Sequence, residues 1–332
     1  MPTPRERVAA ALRREPVDRI PWSFWRHFYD REQTAQDTAA AMVSWVRRWR
    51  FDFLKLNPRA HYHAEPWGAV YRYSGGEHDR PTAVALPVRG PDDWQRIHRV
   101  DPGGSAFGEQ LETVRLARQE LGDDVPILQT IFTPLAVLGY VAEPGRILAD
   151  IREAPVAVHA ALDAVADTLA LYAAECLRAG ADGIFFATTA WATRQALTSD
   201  EYAIFGRPYD VRVLHAVRNA AFNVLHVCRD ENMLFDLLDY PVHAFNWAAT
   251  SPSNPSLGAV LRRLEHGAVI GGVGHDALTD QEPTMARDQV RRAFADTGGR
   301  GWMAGGDCSI PTHAREANIA AVRAELDRLA VI

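Results

Sequence analysis

His226 and Cys228 close the apolar run Asn223-Val224-Leu225-His226-Val227-Cys228. A short run rich in Val and Leu that follows a helical segment reads as a buried strand. On a strand, residues i and i+2 face the same way, so the imidazole and the thiol project together. Both are good zinc ligands, and neither is what an apolar strand would choose for packing alone. A His-x-Cys pair is weak evidence by itself. Cys308, in Gly305-Gly306-Asp307-Cys308-Ser309-Ile310-Pro311, supplies a third soft ligand at another strand end. The alternative is three unrelated residues at strand ends. The third cysteine, Cys176 in Ala174-Glu175-Cys176-Leu177-Arg178, lies on a helical stretch and reads as core.

Three soft ligands with a fourth position open describe a catalytic zinc better than a structural one, which usually closes four positions with Cys pairs. The chemistry suggested is thiol activation. Zinc lowers the pKa of a bound thiol and prepares it to attack a methyl group. Two thiolate ligands temper the charge of the metal and leave the substrate sulfur nucleophilic. Activation of water is the rival use of the same site.

The elements that must position these residues follow from composition and pattern. A chain of 332 residues, 47% apolar and 23% charged, fits a globular α/β barrel with a sizeable core. A formal charge of −6 argues against nucleic acid as the main partner. No apolar run is read as reaching the roughly 20 residues that cross a bilayer. The charged start, Met1 to Arg7, lacks the apolar core of a signal peptide. Three cysteines make no disulfide framework and fit a reducing cytosol. The expectation is a cytoplasmic protein, one domain over 1–332, without membrane association.

Thr3-Pro4-Arg5-Glu6 opens a first helix with a capping box. Strands are expected at Ile20 to Trp25, Phe51 to Asn57, Ile127 to Phe132, Gly183 to Thr189, Asn223 to Cys228, Ala244 to Ala248, Ala268 to Val273 and Gly301 to Gly306. Helices are expected over about 35–49, 108–121, 134–150, 155–179, 199–220 with an interruption at Pro208, 280–296 and 314–329. Thr198-x-x-Glu201 and Thr279-x-x-Glu282 read as further capping boxes. The Gly- and Pro-rich stretch 68–107, with alternating segments at Val70 to Tyr73 and Ala83 to Val88, reads as a hairpin-bearing insertion after strand two. Eight strands mostly separated by helices predict a (β/α)8 TIM barrel. A doubly wound sheet competes, but no Gly-rich dinucleotide fingerprint follows an early strand.

A barrel places its chemistry at the C-terminal ends of its strands. That rule collects Arg26 and His27, His61 and His63, Thr188 and Thr189, His226 and Cys228, Asn246, His275 and Asp276, and Asp307 with Cys308. Asn246 and Asp307 are candidates to orient His226 or polarise a substrate. Arg26 is a candidate to hold a carboxylate, with an ion pair to Glu65 or Asp30 as the plain alternative. His61 and His63 are candidates for substrate contact, and His275 for that or for starting the next helix.

Together these segments resemble the uroporphyrinogen decarboxylase superfamily. The resemblance rests on Arg5-Glu6-Arg7-Val8 through Arg14-Glu15-Pro16-Val17-Asp18-Arg19-Ile20-Pro21, on Gly180-Ala181-Asp182-Gly183-Ile184 and on the His226-x-Cys228 strand. Gly274-His275-Asp276-Ala277-Leu278 and Cys308-Ser309-Ile310-Pro311 with Glu316-Ala317-Asn318 complete it. It covers nearly the whole chain and implies a (β/α)8 barrel with the active site in the cleft at the strand ends.

The superfamily divides into tetrapyrrole decarboxylases and zinc-dependent methyltransferases that move a methyl group from a methyl-corrinoid protein to a thiol such as coenzyme M. The early decarboxylase segment is kept here only at Arg26, its Asp after the second strand has no match around Asn57 to Arg59, and its late His falls at Cys308. Tyr140 and Thr189 align with the decarboxylase Tyr and Ser. The methyltransferase pattern is matched by His226, Cys228 and Cys308, and the resemblance therefore implies that branch. It implies zinc as the metal, methylcobalamin on a partner corrinoid protein as donor, and a small thiol as acceptor. A carboxy-lyase acting on a carboxylated substrate, with Arg26, Tyr140 and the histidines as working groups, is the alternative. A corrinoid- or tetrapyrrole-binding protein without turnover is the third reading. A homodimer is left open.

Overall fold

A computed structural model describes residues 2–59 and 61–329. Among them, ten strands form an eight-stranded parallel sheet and a separate hairpin. The strands are β1 (Trp22–Ser23), β2 (Leu54–Leu56), β3 (Val70–Arg72), β4 (Thr82–Ala85), β5 (Ile127–Phe132), β6 (Gly183–Ala187), β7 (Val224–Val227), β8 (Ala244–Trp247), β9 (Ala268–Val273) and β10 (Trp302–Gly306). The hydrogen-bonded order β1-β10-β9-β8-β7-β6-β5-β2 is that of a (β/α)8 TIM barrel with one seam. Backbone and side-chain hydrogen bonds bridge the seam between β1 and β2. The Asp52 N–H donates to the Trp22 carbonyl (2.9 Å) and Trp22 N–H to Asp52 Oδ2 (3.0 Å). Ser23 Oγ donates to the Phe53 carbonyl at 2.8 Å. The buried Asp52 carboxylate is in turn paired with Arg7 and Arg19, each at 2.6 Å.

Strand periodicity decides what faces the barrel interior. Val224 on β7 packs inward, while Leu225 and Val227 pack outward among the helices, so His226 shares the inner face with Val224. The same alternation turns Phe53 inward beside Leu54 and Leu56 facing out, and with it Lys55 and Asn57. The lower interior is sealed by Phe53, Leu128, Val224, Ala244, Ala268 and Met303 against Val8 and Ala11 of the helix Pro4–Leu12. That helix starts with the expected capping box: Thr3 Oγ1 accepts from Glu6 N, and Glu6 accepts from Thr3 N at 2.8 Å. With one end plugged by apolar side chains, the interior opens only at the C-terminal ends of the strands.

The insertion carries the expected hairpin, β3 paired antiparallel with β4. Its turn reaches across the open rim. Glu77 pairs with Arg26 at 2.6 Å, His78 Nδ1 lies 3.0 Å from Thr312 Oγ1, and Tyr71 OH donates to the Tyr140 carbonyl at 2.9 Å.

Three helix expectations need correction. The segment 134–150 is two helices, Pro134–Val141 and Arg146–Glu153, because Pro144 and Gly145 (φ +81°) break the run between them. The segment 199–220 has the expected interruption, at Gly206 with Pro208 in the first turn of the second helix, but that helix, Arg207–Ala216, stops short of 220. Thr279 ends the short helix His275–Thr279 instead of capping the next. Its hydroxyl donates back to the His275 carbonyl (3.1 Å), and the following helix, Thr284–Thr297, begins behind Pro283. The helix Pro155–Arg178 is, contrary to the sequence reading, long and apolar enough to cross a membrane by length and composition; half of that stretch is buried within the fold.

Candidate metal centre

β7 carries His226 inward, and the chain leaves the strand at Cys228, where Arg229 in the left-handed region (φ +76°) turns it away. Two strands lie between β7 and β10, so Cys308 must lean into the barrel to meet it. Gly306 permits this. A Cβ there would come within 2.7 Å of the Cys308 carbonyl oxygen, so only glycine allows the chain to fold back so closely after β10. The Ile310 N–H then donates to the Trp25 carbonyl at 2.8 Å and fixes the loop against β1.

The result is a compact cluster. One ring nitrogen of His226 and the sulfurs of Cys228 and Cys308 lie within 4.8 Å of one another, and the sulfurs are 3.8 Å apart. Two sulfurs on a tetrahedral zinc with bonds of about 2.3 Å would be separated by about 3.8 Å.

The imidazole is oriented by Asn246 on β8. Asn246 Nδ2 donates to the carbonyls of Ile270 and Gly306, each at 3.0 Å, which fixes Oδ1 as the acceptor. That oxygen is 2.6 Å from His226 Nδ1, so Nδ1 carries the proton and Nε2 keeps its lone pair. Nε2 is buried and has no hydrogen-bond partner among the described residues. The Phe185 ring stacks beside the imidazole at 5.3 Å.

The two thiols are hydrogen-bonded to each other. That hydrogen bond holds the Cys308 thiol well below its ordinary value against the cost of its burial. The charge of Lys55 favours the thiolate further. The same hydrogen bond, with burial, pushes the Cys228 thiol up. Two sulfurs, one of them with its thiol pKa lowered, and a bare imidazole nitrogen form a donor set suited to a soft divalent cation.

The cluster opens into a cavity of about 250 Å³. Tyr140, Thr189 and His63 of the sequence candidates line it. His63 is neutral: burial lowers its pKa well below the usual value, and its Nε2 accepts the Phe132 N–H at 3.0 Å. Thr189 sits in the left-handed region (φ +51°), with a buried hydroxyl that has no partner among the described residues.

Other candidates lie elsewhere. Arg26 points away from the cavity: it pairs with Glu77, donates to the His27 carbonyl (3.0 Å) and covers the Phe28 ring. Neither Glu65 nor Asp30 is its partner. His61 is sandwiched by the rings of Tyr71 (3.8 Å) and Tyr140 (5.3 Å), and burial pushes its pKa down to about 3. His275 is exposed and begins the helix His275–Thr279. Asp307 does not reach the cavity either. Its carboxylate accepts from Ala249 N (3.1 Å) and from Thr250, tying the loops after β8 and β10 together, and burial raises its pKa.

Lys55 was overlooked by the sequence reading, which took it as part of a strand. It lines the cavity from β2, buried, with its ammonium hydrogen-bonded to Asn57 Oδ1 and 4.8 Å from the Phe185 ring. Burial pushes its pKa down to about 7, opposed by the charges of Cys308 and Glu32. The signal was available: of the 36 basic residues in the chain, Lys55 alone is a lysine.

Comparison with known proteins gives the same architecture. A solved methyltransferase from Methanosarcina mazei superposes with a TM-score of 0.81 at 18% identity over 99% of both chains. A B12-independent methionine synthase from Shewanella gives 0.62 at 13% identity over 95% of this chain and 94% of that one. At these identities the likeness is one of fold. In sequence, the methylcobamide:CoM methyltransferase MtbA of Methanosarcina mazei is 21% identical over 243 residues, covering 68% of this chain and 70% of the relative. A uroporphyrinogen decarboxylase of Rhodococcus jostii is 28% identical over 222 residues, covering 64% and 59%. Both groups of relatives are enzymes. The uroporphyrinogen decarboxylase (URO-D) family model matches residues 3–329, and the chain belongs to that family.

Proposed function

We propose that this protein is a zinc-dependent methyltransferase that moves a methyl group from a methyl-corrinoid to a small thiol. The observation that carries the reading is the bare Nε2 of His226, held in one tautomer by Asn246 and facing two sulfurs at zinc-like spacing. The MtbA relatives, named for methyl transfer from a methylcobamide to coenzyme M, support the same branch.

His226, Cys228 and Cys308 would hold the metal. Zinc bound there would supply the Lewis acidity that keeps a substrate thiol ionised near neutral pH. Asn246 keeps the imidazole in its ligating tautomer and orientation. Asp307 braces the loop that delivers Cys308. Tyr140 and Thr189 line the space for the acceptor, and the aromatic walls of Trp25, Phe132 and Phe185 limit the water that reaches it. A methyl-corrinoid carried by a partner protein would approach from the rim, where Arg80 and Arg229 are exposed.

The test is purification under reducing, zinc-replete conditions followed by metal analysis and a methylcobalamin-to-thiol assay. About one zinc per chain, and demethylation of the corrinoid only with zinc and thiol present, is the expected result. Protein that takes up no zinc defeats the reading.

A carboxy-lyase is the second reading, favoured by the decarboxylase relatives and by Tyr140 and Lys55 in the cavity. Turnover of a carboxylated substrate that is indifferent to chelators would select it.

A further inference from the structure

The β2 wall of the cavity carries a buried amine with no carboxylate hydrogen-bonded to it among the described residues. Lys55 faces inward between Phe53 and Asn57, 4% exposed. Its ammonium bonds Asn57 Oδ1 and lies over Phe185, with Trp25 at 5.9 Å. It forms no ion pair among the described residues, whereas the neighbouring Arg59 is held by Glu65 (2.7 and 2.8 Å) and by Glu109. No Asp or Glu lines the cavity among the described residues. Burying an ammonium against one neutral partner and two aromatic rings is costly unless a counter-charge arrives.

Asn57 extends the same wall. Its Oδ1 accepts from Lys55 and from Ser309 Oγ (3.2 Å), which leaves Nδ2 as a donor. That nitrogen is buried and finds no partner among the described residues. An ammonium with one neutral acceptor and an amide N–H with no partner among the described residues therefore share one wall.

We propose that Lys55 and Asn57 form a carboxylate-binding subsite, and that the acceptor is a small mercaptocarboxylate whose acid is held there while its sulfur reaches His226, Cys228 and Cys308. The acceptor half of this statement rests on the thiol-acceptor reading above; the subsite half does not. A carboxylate offers two oxygens in one plane, one for each donor. The third oxygen of a sulfonate would be left to the aromatic remainder of the wall, desolvated and unpaired. Ser309 bonds Asn57 and adjoins Cys308, so the subsite and the metal ligands are close enough for one small molecule to span them.

Calorimetry on the full chain, zinc-free and zinc-loaded, tests this with propionate, 3-mercaptopropionate, 2-mercaptoethanol and 2-mercaptoethanesulfonate as probes. Propionate is expected to bind the zinc-free protein, and Lys55→Met to weaken that binding by about tenfold or more. On the zinc-loaded protein, 3-mercaptopropionate is expected to bind about tenfold more tightly than 2-mercaptoethanol, and more tightly than the sulfonate. Lys55→Met should erase that preference with zinc content unchanged, and Lys55→Arg should restore part of it.

Should Lys55→Met fail to fold, Asn57→Asp keeps the side-chain size, gives Lys55 an internal counter-ion and is expected to abolish propionate binding. A single lysine also allows a direct readout: acylation of Lys55, mapped by mass spectrometry, should slow when propionate is present. Equal affinity of propionate for wild type and both variants overturns the subsite, and tighter binding of the sulfonate overturns the carboxylate assignment. Propionate binding by a protein that takes no zinc would leave the subsite standing and remove the methyltransferase reading.

Discussion

Two walls of one cavity are built from opposite chemistry. The wall of β7, β8 and β10 presents lone pairs: an imidazole nitrogen whose proton has been placed on its far side, and two sulfurs hydrogen-bonded to each other. The wall of β2 presents donors: an ammonium and an amide N–H, with no Asp or Glu lining the cavity among the described residues. The Phe185 ring lies between, stacked on His226 and beneath Lys55. Lone pairs on the first wall suit a cation and donors on the second suit an anion, which fits a site that assembles a metal and a small acid side by side.

The largest effect that would separate the walls comes from the sulfurs. Cys228→Ser and Cys308→Ser are each expected to bring zinc from about one per chain to background in metal analysis, because either removes a ligand outright. Neither should weaken propionate by more than about twofold, since the anion is bound by other residues. Coupled loss would mean that the two walls are one site.

A smaller effect is expected from the residue behind the imidazole. Asn246→Ala should weaken zinc by about 10- to 100-fold in a chelator competition. It frees the tautomer of His226 and strands the Ile270 and Gly306 carbonyls. Unchanged zinc affinity would show that the orientation of the ring owes nothing to Asn246.

Far from both walls, Asp210 provides a control. Its carboxyl is buried between the hydroxyls of Tyr202 (2.8 Å) and Tyr240 (2.9 Å), and burial raises its pKa to about 7. A folded-state pKa above the unfolded value favours the protonated fold. That stabilisation is complete below about pH 4 and is lost as pH rises through about 7. Thermal unfolding of Asp210→Asn should therefore lose less stability between pH 5 and 8 than wild type does, with zinc and propionate affinities unaltered. A wild type and variant that fall in parallel would contradict the raised pKa.

The smallest effect is assigned to Arg26. Arg26→Gln should change zinc and propionate affinities by less than about twofold, because its guanidinium is spent on the half-exposed Glu77 and the Phe28 ring. A large loss of propionate binding would return Arg26 to the cavity and favour the lyase reading.

Much of this arrangement was legible in the residues. The eight apolar runs each hold a barrel strand, and the spacing of His226 and Cys228 put both on the cavity side as period-two geometry requires. The strand-end rule was too coarse for direction. Arg26, His61 and His275 do lie near strand ends, but Arg26 and His61 are taken up by the hairpin insertion and His275 by solvent. How the hairpin folds over the rim depends on long-range contacts such as Glu77 with Arg26, and local pattern does not encode them. Lys55 was hidden for a different reason: Phe51 to Asn57 reads as a strand, and Lys55 within it was passed over. Its uniqueness as a lysine was the missed clue. The helix start expected at Thr279 failed because Pro283, four residues later, is the stronger start signal.

The central claim, a zinc held by one nitrogen and two sulfurs, is most directly tested by X-ray absorption at the zinc edge of the purified protein. The account predicts two sulfurs at about 2.3 Å and one imidazole nitrogen at about 2.0 Å, with a third sulfur entering the shell when a thiol acceptor is added. A metal-free protein, or zinc surrounded by oxygen alone, would contradict it.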